Sequence, residues 1–277
     1  MMARNLRVGL VQLRSGIDPA ANREAAMPWL REAATKGARL IATPENTHRM
    51  DRDRERMLAA AQAEDQTAAL KSWGRIASEL GVHLLMGSMA AWAGAGKVYN
   101  RSLLFAPNGK VTAEYDKINL FDVELGAAET YRESATVAPG AKAVLAEGPA
   151  GASIGMTVCY DLRFPSLFNA LAQAGAQVIA VPSAFTRPTG EAHWETLLRA
   201  RAIETGAFVI APAQGGNHED GRATWGHSLI IDPWGRILAA KGDDAPGLIM
   251  ADLDLDQCAQ ARAKIPAWRG GGEFTGP

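Results

Sequence analysis

The chain predicts an α/β fold with mixed sheets, and three observations carry that prediction. Short apolar runs alternate with longer stretches of helical periodicity. Tight turn sequences join several of the runs directly, which mixes antiparallel hairpins with crossover connections. No linker-like stretch interrupts the 277 residues, so the chain reads as one domain, 1–277, with a loose Gly-rich tail over 269–277.

Leu6 to Leu13 is apolar enough for a buried strand. Asp18-Pro19 supplies an N-cap and a proline at the first helical position, and Gly37 stops the helix. Pro28 inside it should kink the helix or shift its start. A short strand, Arg39 to Thr43, ends at Pro44-Glu45-Asn46. Helical periodicity covers Glu55 to Leu80, with a break expected near Glu64-Asp65 and a stop at Gly81. Val82 to Met89, Val98 to Phe105 and Val111 to Tyr115 read as strands joined by tips at Ala93–Gly96 and Pro107-Asn108-Gly109. Residues 118–140 are irregular, and a loop of that length in a compact domain is usually functional. Ala143 to Leu145 and Ala152 to Val158 are strands, then Pro165 to Ala174 a helix, then Gln177 to Pro182 a strand. His193 to Glu204 is helical with Gly206 as its stop, and Ala207 to Pro212 is a strand. A Gly-rich loop, Gln214 to Arg222, precedes the hairpin Ser228–Asp232 and Arg236–Ala239. Leu248 to Leu253 is a last strand and Asp256 to Ala263 a last helix. No short-period repeat is present.

Composition narrows the function. The chain is 47% hydrophobic and 21% charged, enough for a substantial core. A net charge of −1 draws it to neither nucleic acid nor an anionic membrane. The run Asp51 to Arg56 alternates in sign and reads as a solvated helical face. Two cysteines, Cys159 and Cys258, make no disulfide framework and suit a reducing compartment. No signal pattern opens the chain, because Asn5 and Arg7 interrupt it, and no apolar run is long enough to span a bilayer; a cytoplasmic protein is expected. The five histidines, His48, His83, His193, His218 and His227, have no metal-ligand spacing, and Gly215-Gly216 fits no dinucleotide pattern, so no metal or cofactor is expected.

The chemistry gathers at strand ends. The apolar run Ala152 to Val158 ends on Cys159, followed by a polar turn, Pro165 and a helix. A nucleophile on such a turn stands clear of the sheet, with the Tyr160 N–H free to face a developing oxyanion. The bland alternative is a small buried hydrophobe. Glu45 and Lys117 also follow strands, and sites in open α/β sheets form beyond the carboxyl ends of strands. If the three meet, a carboxylate can take the thiol proton, while an ammonium lowers the thiol pKa and stabilises an oxyanion. That cluster suits acyl transfer from an amide: thioester formation, loss of ammonia or amine, then attack by water.

Other residues carry competing readings. Arg163 suits a substrate carboxylate, or equally a pairing with Asp161 or a helix end. Phe185 and Thr186 follow a buried strand and line a pocket, or Phe185 packs in the core. His193 and Glu195 suit a structural bond at a helix start rather than catalysis. Arg199, Arg201 and Glu204 read as a helix-face network, and Cys258 as structural.

Three motifs resemble the nitrilase superfamily of carbon–nitrogen hydrolases: Thr43-Pro44-Glu45-Asn46, Tyr115-Asp116-Lys117-Ile118-Asn119-Leu120-Phe121-Asp122, and Val158-Cys159-Tyr160-Asp161-Leu162-Arg163-Phe164-Pro165. The resemblance runs over nearly the whole chain. It implies a Glu-Lys-Cys triad of Glu45, Lys117 and Cys159, and a second glutamate, Glu133 in Tyr131-Arg132-Glu133-Ser134, beside the lysine and cysteine. It implies a four-layer αββα sandwich of two mixed β-sheets, no cofactor, and a homodimer or larger even oligomer. The run after Cys159, together with Pro182-Ser183-Ala184-Phe185 and the segment His193 to Glu204, is similar to the Nit branch of amidases. That similarity implies hydrolysis of a small linear amide to acid and ammonia through a cysteine thioester, with deaminated glutathione as the expected substrate. The ω-amides α-ketoglutaramate and α-ketosuccinamate are the near alternative. Nitrile hydrolysis, N-acyl transfer or a non-catalytic interaction role on the same scaffold stay open. Ser166 and Arg187–Glu191 depart from the branch pattern near the expected pocket mouth, which puts the acyl specificity in doubt.

Overall fold

The fold is given by a computed structural model, which describes residues 4–63, 66–125, 130–271 and 275–276. Strand β1 (Asn5–Gln12) leads into helix α1 (Pro19–Thr35), and strand β2 (Leu40–Ala42) follows. Asp18 caps α1 by accepting from the Ala20 N–H at 2.9 Å. Pro28 displaces neither end: α1 runs unbroken through it. Helices α2 (Arg54–Ala63) and α3 (Gln66–Leu80) are separate, and the expected break at Glu64-Asp65 lies outside the described residues. Strands β3 (His83–Gly94), β4 (Lys97–Phe105) and β5 (Val111–Asp116) form a meander.

The stretch expected to be irregular holds a small hairpin of β6 (Asp122–Glu124) and β7 (Thr130–Arg132), then a 3-10 turn over Glu133–Ala135; residues 126–129 are outside the described set. Strands β8 (Val144–Glu147) and β9 (Ser153–Met156) come next. A 3-10 turn at Cys159–Arg163 separates β9 from α4 (Pro165–Gln173). Strand β10 (Val178–Ala180) leads to α5 (Arg187–Thr205) and β11 (Phe208–Ala211). The loop expected at Gln214–Arg222 contains β12 (Gly215–Asn217), which pairs with β13 (Ala223–Trp225). Strands β14 (Leu229–Ile231), β15 (Ile237–Ala240) and β16 (Gly247–Asp254) precede α6 (Asp256–Lys264). A 3-10 turn at Pro266–Arg269 leads into the Gly-rich tail expected to be loose; residues 272–274 and 277 lie outside the described set.

The strands make two six-stranded mixed sheets, ordered β16-β1-β2-β3-β4-β5 and β15-β14-β11-β10-β9-β8. Each has three parallel strands at its centre, β1-β2-β3 and β9-β10-β11, flanked by antiparallel ones. Side-chain alternation builds the layers. Val11, Ile41, Leu84 and Phe105 leave one face of the first sheet and pack with Leu30, Trp73 and Ile76 of α1 and α3. Val8, Leu10, Leu40 and Leu85 leave the other face and join Ile154, Met156 and Val178 of the second sheet in one core. Leu171 of α4 and Trp194, Leu198 and Ala202 of α5 belong to that core too and cover the outer side of the second sheet. The result is an αββα sandwich. Each fully buried Leu, Ile or Val contributes roughly 1.5–3 kcal/mol, so the two sheets are held as a rigid frame for the loops at their ends.

Candidate active site

Glu45 sits on the turn after β2, and that turn is held from several sides. The Gly87 N–H donates to Thr43 Oγ1 at 3.2 Å, the Asn46 N–H to Ser88 Oγ at 2.8 Å, and Gln214 Nε2 to the Glu45 carbonyl at 2.9 Å. A β-carbon at Gly87 would lie 2.2 Å from the carbonyl oxygens of Thr43 and Pro44, so only glycine lets the turn approach the strand this closely. Lys117 leaves the end of β5. Its N–H donates to the Asn100 carbonyl at 3.0 Å, and its own carbonyl accepts from the Gly140 N–H at 2.8 Å. Glu133 opens a 3-10 turn, where its carbonyl accepts from the Val137 N–H at 2.8 Å.

Cys159 stands three residues beyond the end of β9, with φ at +51°, in the left-handed region that a β-carbon disfavours. Its N–H donates to the Pro182 carbonyl at 3.0 Å. The strain is fixed by Asp161. One carboxylate oxygen accepts from the Val158 N–H at 2.9 Å and the Tyr115 hydroxyl at 2.6 Å; the other accepts from the Asn119 N–H at 2.9 Å and its side-chain nitrogen at 2.8 Å. Asp161 is fully buried and thereby staples the cysteine turn of the second sheet to the lysine end of the first. Burial and the neighbouring Asp161 charge push the Tyr115 hydroxyl far up, so it remains a donor at any ordinary pH.

The three expected groups meet. Lys117 Nζ donates to Glu45 Oε1 at 3.0 Å and to Glu133 Oε2 and Oε1 at 2.8 and 3.1 Å. The Cys159 thiol lies within hydrogen-bonding reach of the Glu45 carboxylate, and the Ala184 N–H points to the sulfur. Burial works against a charged Glu45, but the Lys117 ammonium, Cys159 and the amide of Asn100 outweigh it and hold the carboxyl below its ordinary value. Burial likewise opposes the Lys117 charge, and Glu133 with Glu45 reverses it, keeping the ammonium well above its usual range. The thiol differs from expectation. Burial, then the Glu45 charge, drives the Cys159 thiol well above its ordinary value; Lys117 lowers it but does not win. The resting cluster is therefore carboxylate, ammonium and neutral thiol.

A cavity of about 680 Å³ opens over this cluster. Glu45, Lys117, Glu133, Cys159, Tyr160, Phe185 and Thr186 all line it. Arg163 is not among the lining residues: its guanidinium stacks over the Tyr160 and Phe185 rings and meets His193 Nδ1 at 3.3 Å. It does not pair with Asp161, whose oxygens are already taken. Phe185 satisfies both readings, since it also packs on Trp194. His193 is not at a helix start, because α5 begins six residues earlier at Arg187. Arg201 pairs with Glu204, whereas Arg199 turns to Glu195 and the Gly235 carbonyl. Asp51 and Arg52 precede α2 and border the cavity, so that run is not simply a solvated helical face. Arg187, Pro188 and Thr189 line the cavity mouth, whereas Ser166 is exposed on the first turn of α4 and lines nothing there. Cys258 is buried, its thiol donating to the Gln177 carbonyl at 3.3 Å.

Sequence reasoning missed Asn100, the Ala184 N–H and the Asp161 staple. Asn100 had a signal. It shares the inward parity of β4 with Val98 and Leu104, where a polar residue needs partners. Its Nδ2 donates to Glu45 Oε1 at 2.8 Å and Glu133 Oε1 at 3.2 Å. Among the described residues, no group of three or more His, Cys, Asp or Glu side chains has metal-binding geometry, and no helix is long and apolar enough to cross a membrane.

A thiol, two carboxylates and an ammonium in one cleft between stacked mixed sheets are the equipment of a hydrolytic enzyme. The chain belongs to the carbon–nitrogen hydrolase family, whose profile matches residues 7–263. A deaminated glutathione amidase of Synechocystis sp. (strain PCC 6803 / GT-S) is 41% identical over 260 residues, covering 93% of this chain and 94% of its own. The human omega-amidase NIT2 is 33% identical, covering 96% and 94%. Among solved structures, the C. elegans NitFhit protein matches with a TM-score of 0.88 at 31% identity; the match covers 97% of this chain and 65% of that longer one. A variant of the amidase from Nesterenkonia sp. AN1, carrying acrylamide added at its active-site cysteine, matches with a TM-score of 0.79 at 28% identity, covering 94% and 98%.

Proposed function

We propose that this chain is an amidase that cleaves its substrate through a thioester on Cys159, with Glu45, Lys117 and Glu133 as the supporting groups. The observation that carries the reading is the buried meeting of Cys159, Glu45 and Lys117 at one cavity, with Lys117 Nζ 3.0 Å from Glu45 Oε1. As Sγ attacks the amide carbonyl, the thiol proton passes to Glu45, so no second uncompensated negative charge builds up in the cleft. Lys117 has three N–H groups. One goes to Glu45, one spans both oxygens of Glu133, and the third is left for the oxyanion, alongside the Tyr160 N–H. When the tetrahedral adduct collapses, the C–N bond breaks and Glu45 returns its proton to the departing nitrogen. A water then gives its proton to Glu45 as its oxygen attacks the thioester, and the C–S bond breaks. The Ala184 N–H steadies the departing sulfur before it regains a proton from Glu45.

Deaminated glutathione is the substrate this cleft suits best. The relatives bearing that activity in their names are 38–41% identical, whereas the omega-amidase is 33% identical. A cavity of about 680 Å³ has room for a tripeptide-sized chain. Arg52, Arg187 and Arg222 at its margin suit carboxylates. With that substrate the products are a 2-oxo acid and a dipeptide amine; with an ω-amide they are the acid and ammonia. We also take residues 1–277 as a single catalytic unit, cytoplasmic in keeping with two free cysteines, and assembling as a homodimer or larger even oligomer.

The test is turnover of deaminated glutathione and α-ketoglutaramate by pure protein, with products followed by mass spectrometry and the acyl adduct sought on Cys159. Cys159→Ala should abolish both turnover and adduct. Absence of turnover across a broad amide panel would sink the reading. Acid from a nitrile, or hydroxamate formed with added hydroxylamine in preference to water, would move the chain to the nitrile-hydrolysing or acyl-transfer alternative.

A further inference from the structure

We propose that Asn100 is a positioning residue of the reaction: its side-chain amide spans Glu45 and Glu133, sets the spacing of the two carboxylates and presents Glu45 to the Cys159 thiol. The proposal deepens the reading of Glu45 as the proton acceptor and rests on it.

Three contacts place Asn100 at the hub of the cluster. Its Nδ2 donates to both carboxylates, 2.8 Å to Glu45 Oε1 and 3.2 Å to Glu133 Oε1. Its carbonyl receives the Lys117 N–H at 3.0 Å, so one residue orients three of the four groups. Both of these side-chain acceptors are carboxylate oxygens, which fixes the amide with its nitrogen inward. The cost of that orientation is visible. Asn100 Oδ1 is buried and has no hydrogen-bond partner among the described residues. A buried amide oxygen left unpaired is unfavourable and rare. It is kept here because no other small side chain does the same work. Aspartate would add a third negative charge beside Glu45. An apolar residue of the same size would leave the two carboxylates joined only through Lys117. A neutral double donor separates them without adding charge.

The groups facing Glu45 make the consequence readable in a pH profile. Lys117 comes from the end of β5, Cys159 from the second sheet, and Glu133 reaches it through Asn100 and Lys117. Asp51, Arg52 and Arg222 border the same cavity further out. Of the groups that keep Glu45 charged, Asn100 can be removed without changing any charge. Removing it must therefore shift the protonation of Glu45 upward.

The experiment measures kcat and KM from acid to neutral pH for wild type, Asn100→Leu and Asn100→Ser, with deaminated glutathione as the probe. Asn100→Leu keeps the branched shape and removes both donors. Asn100→Ser tests the same point with little disturbance of packing, should the leucine variant fold poorly. For either folded variant, kcat is expected to fall about 10²-fold near neutral pH, with KM changed far less. The acid limb of kcat/KM is expected to move to higher pH. A folded variant whose acid limb coincides with that of wild type, or whose loss lies wholly in KM, overturns the proposal. Glu45→Gln separates the two layers. If it turns over at the wild-type rate, the proton-acceptor reading itself fails and takes this proposal with it. If it is dead while the acid limb of the Asn100 variants stays in place, only the role of Asn100 is lost.

Discussion

The two halves of the molecule follow the same course but contribute opposite chemistry. Each carries helices between the strands of a parallel centre, α1 and then α2 with α3 in the first half, α4 and then α5 in the second, before turning antiparallel. The first half supplies charge: Glu45 after β2 and Lys117 after β5, both buried and both neutralised by neighbours. The second supplies an uncharged thiol on a strained turn, held by hydrogen bonds to Asp161 and Pro182. The contrast shows how a reactive thiol is kept neutral at rest. In the proposed mechanism the proton acceptor lies on one frame and the thiol on the other, so attack is enabled only where the frames meet.

The most damaging way to break this division is to remove the acceptor. Glu45→Gln should lower kcat by about 10²–10⁴-fold, the usual worth of a positioned general base. It should also make Cys159 easier to alkylate. Burial and the Glu45 charge raise the thiol pKa while Lys117 lowers it, so neutralising Glu45 leaves burial alone opposing Lys117. The pH at which iodoacetamide labels Cys159 is expected to fall while turnover is lost. A thiol that becomes less reactive in this variant contradicts the electrostatic picture.

Removing the cation attacks the charged half's stability instead. Lys117→Met leaves the buried Glu45 and the partly buried Glu133 without their shared partner, and breaking a buried pair from one side costs about 3–5 kcal/mol. Denaturant melts should register the loss near neutral pH. The deficit should shrink as the solution is acidified and Glu45 takes up a proton. A deficit independent of pH would mean that packing, not charge, was lost.

Asp161→Asn cuts the staple between the halves. Four donors converge on the two carboxylate oxygens, and an amide presents one of those positions as a donor. The mismatch should cost about 1–3 kcal/mol and reduce turnover by loosening the cysteine turn. Iodoacetamide labelling of Cys159 should become faster through exposure. Unchanged stability and turnover would show that the turn is held elsewhere.

What could be read from the sequence divides along the same line. The strands of both sheets were legible because alternating apolar residues and Gly/Pro punctuation are local signals, as at Leu6–Leu13 and Pro107–Gly109. The convergence of Glu45, Lys117 and Cys159 was not. Each marks only a strand end, and the motif resemblance, rather than spacing, joined them. The helical pattern marks α5 only from His193, six residues late, although Pro188 suits the first turn of a helix that starts at Arg187. The thiol pKa was expected to be lowered because only the lysine charge was weighed. Burial and the nearer Glu45 charge come from tertiary packing, which spacing does not express. Asn100 and Asp161 were overlooked for the same reason: their partners are distant in sequence.

The smallest effect sharpens the comparison most. In the charged half, the Glu45 carboxyl is depressed, so its stabilising contribution is present above its unfolded value of 4.5 and lost as pH falls through the folded one. Lys117 is raised, so its contribution holds below its unfolded value of 10.5 and is lost only as pH rises through the folded one. Between those limits the charged half is flat. The Cys159 thiol is not. Unfolded, it ionises near 9.0, whereas the folded protein keeps it protonated well beyond that. From pH 9 upward the unfolded state binds fewer protons than the folded one, so stability falls, by up to about 1.4 kcal/mol per pH unit. Cys258, raised to about 11, adds a similar slope, but it is present in both wild type and Cys159→Ala. The difference in unfolding free energy between those two proteins, followed from pH 8 to 10.5, should therefore be level up to about pH 9 and then move against wild type. A difference that stays level throughout would mean the folded thiol ionises as readily as the unfolded one, and the second half of the molecule would no longer be the neutral partner.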